Sequence, residues 1–412
     1  MILFHILISI ISSGCNNPTY LTIHNSAFAN PNSHAISLEH KTEPQLKSAR
    51  ILLKDRVTTT TLTSDGNFTV VVYQHNKSIR QALLHFNQGK KIHFFAQGNY
   101  LVMKEWNYRI DRCWLIPEED HFVHVDDRVY RGRVELRGQG DTISVINIVD
   151  IQEYLYGVLP AEVDHRWPLE ALKAQAITAR TYALFHMIRS EQNLYDLFSN
   201  ELSQVYKGYS VEQPKCNRAV DETKNKVIVY KNQPIIAYFH SNSGGYTEAP
   251  ENTWGVALPY LSIKRDEFST YRRDKDAFWQ KEMNLRQVSK ILRLNGYKIK
   301  RIFDIIPSKV NKYGRIGEIT IRGDRGSFSM SGNNFRLMLG TRGLKSTYIT
   351  DIKHLGNKVL FIGKGSGHGV GMSQWGAYNM AALGFKAEDI IHFYYDNVSI
   401  TTLENADLAY SR

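Results

Sequence analysis

The chain has few of the features that would give it an easy classification. Only three cysteines occur in 412 residues, and none forms a CxxC pair, which argues against a structural zinc site. No stretch beyond the N-terminus reaches the roughly 18 consecutive apolar residues of a spanning helix. A Walker phosphate loop, the GxGxxG dinucleotide pattern and the GxSxG nucleophile elbow are all missing. There is no nucleic-acid motif, long basic tract or internal repeat. The 42% hydrophobic and 22% charged content is that of a folded protein and excludes disorder of the whole chain.

The N-terminus departs from this. Met1 to Ile11 is an apolar run that ends in Ser12-Ser-Gly14-Cys15. It reads as the hydrophobic core of an export signal, with Cys15 placed like the acylated cysteine of a bacterial lipoprotein. The expected location is therefore the cell envelope outside the cytoplasm, with membrane attachment through this segment. Cys113 and Cys216 are then expected to be buried, unpaired thiols, with a single disulfide as the alternative in an oxidising compartment. A formal charge of +11 and a pI of about 9.3 suit anionic envelope polymers better than nucleic acid.

Along the chain, residues 16–45 are polar and read as a tether. Residues 46–125 hold short β-rich runs such as Phe68–Tyr73 and Ile92–Phe95, broken by turn signals such as Asp65-Gly66. They are expected to form a β-rich N-terminal domain ahead of a larger body over 126–400. In the body, Val129–Leu136 and Thr142–Ile148 read as strands, and Pro168 as the first residue of a helix. Residues 227–240 read as a hairpin around Lys231-Asn-Gln-Pro234. Residues 262–300 look helical and 301–360 strand-like, with 255–360 a probable insertion, and a helix is expected at about 372–383. The class is α+β, with mixed sheets and packed helices.

The densest motif is Gly365-Ser-Gly-His368-Gly-Val-Gly371-Met-Ser-Gln374-Trp375-Gly376-Ala377, with glycine at every second position. Such spacing permits very close backbone approach, either in a tight structural turn or in a binding-site wall. Four further strings accompany it. They are Glu153 to Leu184 with Pro160-Ala-Glu162, Ser203-Gln-Val-Tyr-Lys-Gly208, Pro234 to Thr247 with His240-Ser-Asn-Ser243-Gly-Gly, and Val134-Glu-Leu-Arg-Gly138 leading to Val145-Ile-Asn147. Together, over roughly residues 125–400 and in the family's order along the chain, they resemble the SpoIID/LytB family of peptidoglycan-acting proteins. The resemblance implies a SpoIID-like domain, wall glycan as ligand and no cofactor.

Glu162 is the candidate catalytic acid. Read from the sequence, it sits in a turn near Tyr154, Tyr156 and Trp167, where desolvation would raise its pKa and keep a proton available. The resemblance places the family's catalytic glutamate here. Val163-Asp164-His165 follows it, where the family often has Met-Pro. Glu170 reads as a first-turn helix residue, and Glu153 as an exposed strand end. Lys173 and Arg180 share a helix face. The resemblance assigns both to the substrate groove, although Lys173 could simply pair with Glu170. His240 and Ser241 point to opposite faces of a strand and make no nucleophile–base pair. His240, Ser241, Ser243, Gly244, Gly245, His368, Ser373, Gln374 and Trp375 are expected to wall a sugar groove, with no metal. Trp254, Trp375 and Tyr246 could stack on sugars or pack in the core.

The resemblance implies lytic cleavage between N-acetylmuramic acid and N-acetylglucosamine, giving a 1,6-anhydro end, preferably on strands stripped of stem peptides. An essential Asp164 or Glu248 near Glu162 would point to ordinary hydrolysis instead. The alternative is a non-catalytic glycan-binding protein that enhances a wall amidase.

Overall fold

The computed structural model describes residues 21–24, 48–76, 78–270, 277–340 and 343–407. Cys15 and most of the expected tether lie outside them. The chain divides into two compact units, one of residues up to Asp164 with Ala183–Arg218, the other of His165–Tyr182 with Ala219 onward.

The first unit is mostly strand. Its strands are β1 (Leu21–His24), β2 (Ser48–Val57), β3 (Thr59–Ser64), β4 (Phe68–Asn76), β5 (Ser78–Phe86), β6 (Ile92–Gln97), β7 (Tyr100–Met103), β8 (Tyr108–Ile110), β9 (Arg112–Pro117), β10 (Val123–Val125), β11 (Arg128–Tyr130), β12 (Arg133–Gln139), β13 (Thr142–Asp150) and β14 (Leu197–Phe198). An eight-stranded sheet has the order β1-β5-β4-β9-β12-β13-β2-β14, and a six-stranded sheet the order β11-β10-β3-β6-β7-β8. Alternation sets their faces. Val70, Val72, Cys113, Leu115, Val134 and Leu136 are buried on one side of the larger sheet, and β12 and β13 lie against β6 and β7 of the smaller one. Strands from both sides of residue 125 thus share one sheet. Cys113 and Cys216 are buried free thiols, and burial pushes Cys216 up to about 11.

After β13 the chain enters α1 (Ile151–Glu162), capped by Asp150, whose carboxylate accepts the Gln152 N–H at 2.7 Å. Glu162 is therefore the last residue of a helix, where the sequence suggested a turn. Gly157 and Pro160, two helix breakers, mislead the sequence reading. Gly157 answers to a partner distant in the chain, since a Cβ there would sit 2.6 Å from the Tyr206 ring, and Pro160 falls in the last turn of α1, which ends two residues later.

The second unit holds most of the remaining elements. These are α2 (Leu169–Arg189) and α3 (Pro214–Glu222), each with residues in both units, then β15 (Lys226–Tyr230), β16 (Gln233–Pro234), β17 (Phe239–His240), α4 (Pro250–Trp254), β18 (Phe278–Asn284), α5 (Leu285–Leu294), β19 (Ile302–Val310), β20 (Ile316–Gly323), β21 (Gly326–Ser331), α6 (Gly332–Leu339), β22 (Ile349–Leu355), β23 (Lys358–Lys364), β24 (Met372–Ser373), α7 (Gln374–Ala382), α8 (Ala387–Tyr394) and β25 (Ser399–Thr402). Pro168 stands one residue before α2, and its carbonyl accepts the Leu172 N–H. The hairpin β15–β16 turns through Lys231 and Asn232, both with positive φ, as its tight geometry requires. Among the described residues of the stretch 262–300, only Glu267–Thr270 and α5 are helical, and α6 interrupts the strands that follow. Val288, Leu292, Ile305, Ile319, Phe335, Val359 and Phe361 form a shared core for this segment. The α+β expectation holds.

Candidate functional site

In the first unit, Glu162 meets the Ser203–Gly208 segment. The Val205 N–H donates to Glu162 Oε1 at 2.7 Å. The segment is anchored by Tyr206, whose hydroxyl donates to Asn147 Oδ1 at 2.9 Å, and by Gln204, which accepts from the Tyr154 hydroxyl at 3.2 Å. Asn147 in turn donates to the carbonyls of Arg131 and Arg133. Three of the recognised strings therefore converge here, and together they fix the carboxylate of Glu162. Glu153, expected on a strand end, lies in the first turn of α1. Its pKa is raised, chiefly by burial, against the lowering effect of Arg131.

The other candidates lie in the second unit. β17 runs parallel to β24, with His240 opposite Ser373. The glycine loop lies along the His240–Gly245 segment, joined by reciprocal backbone bonds between Asn242 and Ser366. Gly371 has φ 72°, and a Cβ there would lie 2.0 Å from the Tyr238 carbonyl oxygen. At Gly369 a Cβ would meet the Arg315 guanidinium at 2.5 Å. The glycines serve close packing of backbone on backbone and on arginine.

His368 projects from this loop beside His240, Tyr238 and Trp254, at ring distances of 5.7, 5.9 and 5.2 Å. Trp254, 41% exposed, also lies against Tyr238. His368 Nδ1 accepts the Val370 N–H, so its proton sits on Nε2 when neutral. Burial, with the Arg336 and Arg315 charges, pushes His368 down to about 3. Burial and the neighbouring His368 hold His240 well below its usual range. Both rings are neutral at ordinary pH. His240 Nδ1 bonds the Val370 carbonyl, whereas its buried Nε2 has no partner among the described residues.

Several expected groove residues are interior instead. Arg180 is fully buried and donates to Thr223 and to the carbonyls of Val220 and Lys226. It ties α2 to the chain around α3 and β15. Ser243 is buried. So is Ser373, which caps α7 by accepting the Gly376 N–H and bonds Ser269 at 2.7 Å. Gln374 is 7% exposed. Lys173 is paired with Glu170 at 3.1 Å and Glu222 at 2.6 Å, and Glu222 is the main reason its pKa rises. Ser241, Gly245, His368 and Trp375 keep partial exposure. Trp375 forms a half-exposed cluster with Trp167 and Tyr378.

Sequence reading missed Arg315 and Asp266. Arg315 is fully buried and donates to the Ser243 carbonyl at 2.6 Å. Asp266 accepts from Ser269, and burial raises its pKa. Both lie far along the chain from the motifs they support, and no local pattern marks them. Glu248 is held by Asn252, Asn311 and the Ala249 N–H. It lines an open cleft of about 330 Å³ with Lys309 and Glu318.

These motifs are shared with a family of sporulation proteins and amidase enhancers. The model described as stage II sporulation protein, SpoIID, matches residues 139–230, and one described as a domain of unknown function matches 256–371. Over 287 residues the chain is 30% identical to stage II sporulation protein D of Bacillus amyloliquefaciens, covering 64% of this chain and 77% of that one. It is 32% identical to the amidase enhancer of Bacillus subtilis over 60% of this chain and 40% of that one. It is 35% identical to an uncharacterised protein of Brachyspira hyodysenteriae over 85% of this chain and 92% of that one. The chain belongs to the SpoIID family.

Proposed function

We propose that the protein is a lytic transglycosylase of peptidoglycan glycan strands, with Glu162 as its acid and base. The observation that carries this reading is the 2.7 Å bond from the Val205 N–H to Glu162 Oε1. It pins the carboxyl where three of the five strings meet, as a proton donor must be pinned. Protonated Glu162 delivers its proton to the oxygen between N-acetylmuramic acid and N-acetylglucosamine as that bond breaks. The resulting carboxylate takes the proton of the muramic 6-hydroxyl, whose oxygen bonds to the anomeric carbon. The product is a 1,6-anhydro end and a free N-acetylglucosamine hydroxyl. Intramolecular attack has a large effective molarity, so one carboxylate suffices where ordinary glycosidases use two. The neutral His368 and exposed Trp254 suit the hydroxyls and apolar faces of sugars. Cys15 is proposed as a lipid anchor holding the protein at the envelope, to be checked by the mass of the mature N-terminus.

The test is incubation of wild type and Glu162→Gln with intact and peptide-stripped strands, with fragments weighed by mass spectrometry. Products one water lighter than hydrolysis products, made by wild type alone, support the reading. Reducing-end products from wild type overturn it. The likeness to an amidase enhancer favours a second reading, in which the protein binds glycan and stimulates a wall amidase without cutting. In that case Glu162→Gln retains full stimulation.

A further inference from the structure

One face of the eight-stranded sheet carries an arrangement that cleavage does not use. Tyr73 on β4, Arg112 on β9 and Arg137 on β12 stand in one cross-strand row. Val71, Trp114 and Glu135 form the next row on the same side. Arg133, two residues before Glu135, shares that side. Tyr73, Arg112, Trp114, Arg133 and Arg137 all keep partial exposure, while the alternate residues of these strands face the core.

Arg112 and Arg137 are directly opposite each other, a destabilising placement for like charges. Glu135 answers Arg137 with a 2.6 Å ion pair. Arg112 instead lies over aromatic rings, 4.4 Å from the centre of Tyr73 and 5.6 Å from that of Trp114. Arg133 lies 5.2 Å from the Trp114 ring centre. Its buried Nε has no hydrogen-bond partner among the described residues, and neither has the indole Nε1 of Trp114. Among the described residues Glu135 pairs with Arg137 alone of the three guanidiniums, and the buried donors of Arg133 and Trp114 stay unmet. A donor buried without a partner is costly, and the partly exposed guanidiniums of Arg112 and Arg133 have further N–H groups to offer an oxyanion. Stacking on Tyr73 and Trp114 holds the guanidinium planes ready, and the fork of an arginine matches a carboxylate.

We infer that this face is a second glycan-binding surface, taking the free lactyl carboxylates of peptide-stripped strands. The inference rests on the peptidoglycan reading above. Strands that keep their stem peptides have this particular carboxylate tied up in an amide, so the lactyl contact is available on stripped ones alone. A second attachment point on the same polymer raises overall affinity without altering the catalytic residue.

The experiment uses the full chain carrying Glu162→Gln, so that no strand is cut. Binding of peptide-stripped strands is titrated at several salt concentrations. Replacing both Arg112 and Arg133 by Met is expected to weaken binding about tenfold, the scale of one lost charge-assisted contact, and to flatten the salt dependence. Glu135→Gln removes the competing carboxylate and should tighten binding, an effect no misfolded protein can imitate. Strands with amidated lactyl groups should bind the unaltered face as weakly as ordinary strands bind the double variant. Equal affinities across all variants, with matched melting curves, overturn the inference. So does polyphosphate competing fully while amidated strands bind undiminished. A wild type that cleaves strands beside an indifferent double variant sinks this surface alone. Absence of any glycan binding sinks the peptidoglycan reading with it.

Discussion

Acid should destabilise this protein through His368, and the size of the effect follows from its surroundings. The ring is held neutral in the fold, with its pKa lowered from 6.5 to about 3. The unfolded chain offers no such restraint, so between those values it binds the proton that the folded chain refuses. Stability therefore rises with pH through this window and is lost as pH falls from about 6.5 toward 3. Each unit is about 1.4 kcal/mol, which gives an upper limit of about 2 kcal/mol lost by pH 5. The ring keeps some solvent contact, which brings the expectation to about 1–2 kcal/mol. His240 responds in the same direction. His368→Gln removes the titrating group while keeping a polar side chain of similar reach. Urea unfolding at pH 7.5 and pH 5, for wild type and variant, gives the difference directly. The variant is expected to lose less stability than wild type over this interval. Equal losses would refute the claim that a half-buried neutral His368 underlies acid sensitivity.

Three other perturbations test the architecture. Gly371→Ala places a methyl against the Tyr238 carbonyl at positive φ, and should cost at least about 3 kcal/mol; an unchanged melting temperature would contradict the packing described. Arg180→Met strands the Val220 and Lys226 carbonyls and should cost about 2–4 kcal/mol, with glycan affinity per folded molecule unaltered in binding titrations. Tyr206→Phe frees Asn147, should cost about 1–2 kcal/mol, and should lower the turnover of glycan more than it changes binding, because Val205 then holds Glu162 less firmly.

What the sequence made legible was local. The Lys231-Asn232 turn, the helix after Pro168 and the helix that follows the glycine loop each depend on neighbours within a few residues, and each is where it was expected. The misreadings come from distant partners. Pro160 and Gly157 looked like loop residues because the reason for Gly157 is Tyr206, some fifty positions on. Arg180 was expected in the substrate groove and is interior because its acceptors come from around Val220 and Lys226. Ser243 and Ser373 looked like sugar contacts because their burial depends on Asp266, Ser269 and Arg315, none of which belongs to a recognisable string. The residues of the motif strings do come together, those of three strings around Glu162 and those of two along the glycine loop. Which of them face solvent is decided by the segments between the motifs.

The strand pairing also has a consequence for biosynthesis. Ser48 at the start of β2 is bonded to Asp150 at the end of β13, and β15 is bonded to β25 near the end of the chain. A growing chain therefore holds β2 unpaired with β13 until residues 142–150 emerge, and β15 unpaired with β25 until residues 399–402 do. Pairings this distant in sequence fold slowly and leave strand edges open for long periods. A nascent protein of this design depends on whatever shields those edges until residues 399–402 are made, and removing β1 or β25 leaves a sheet with a missing neighbour.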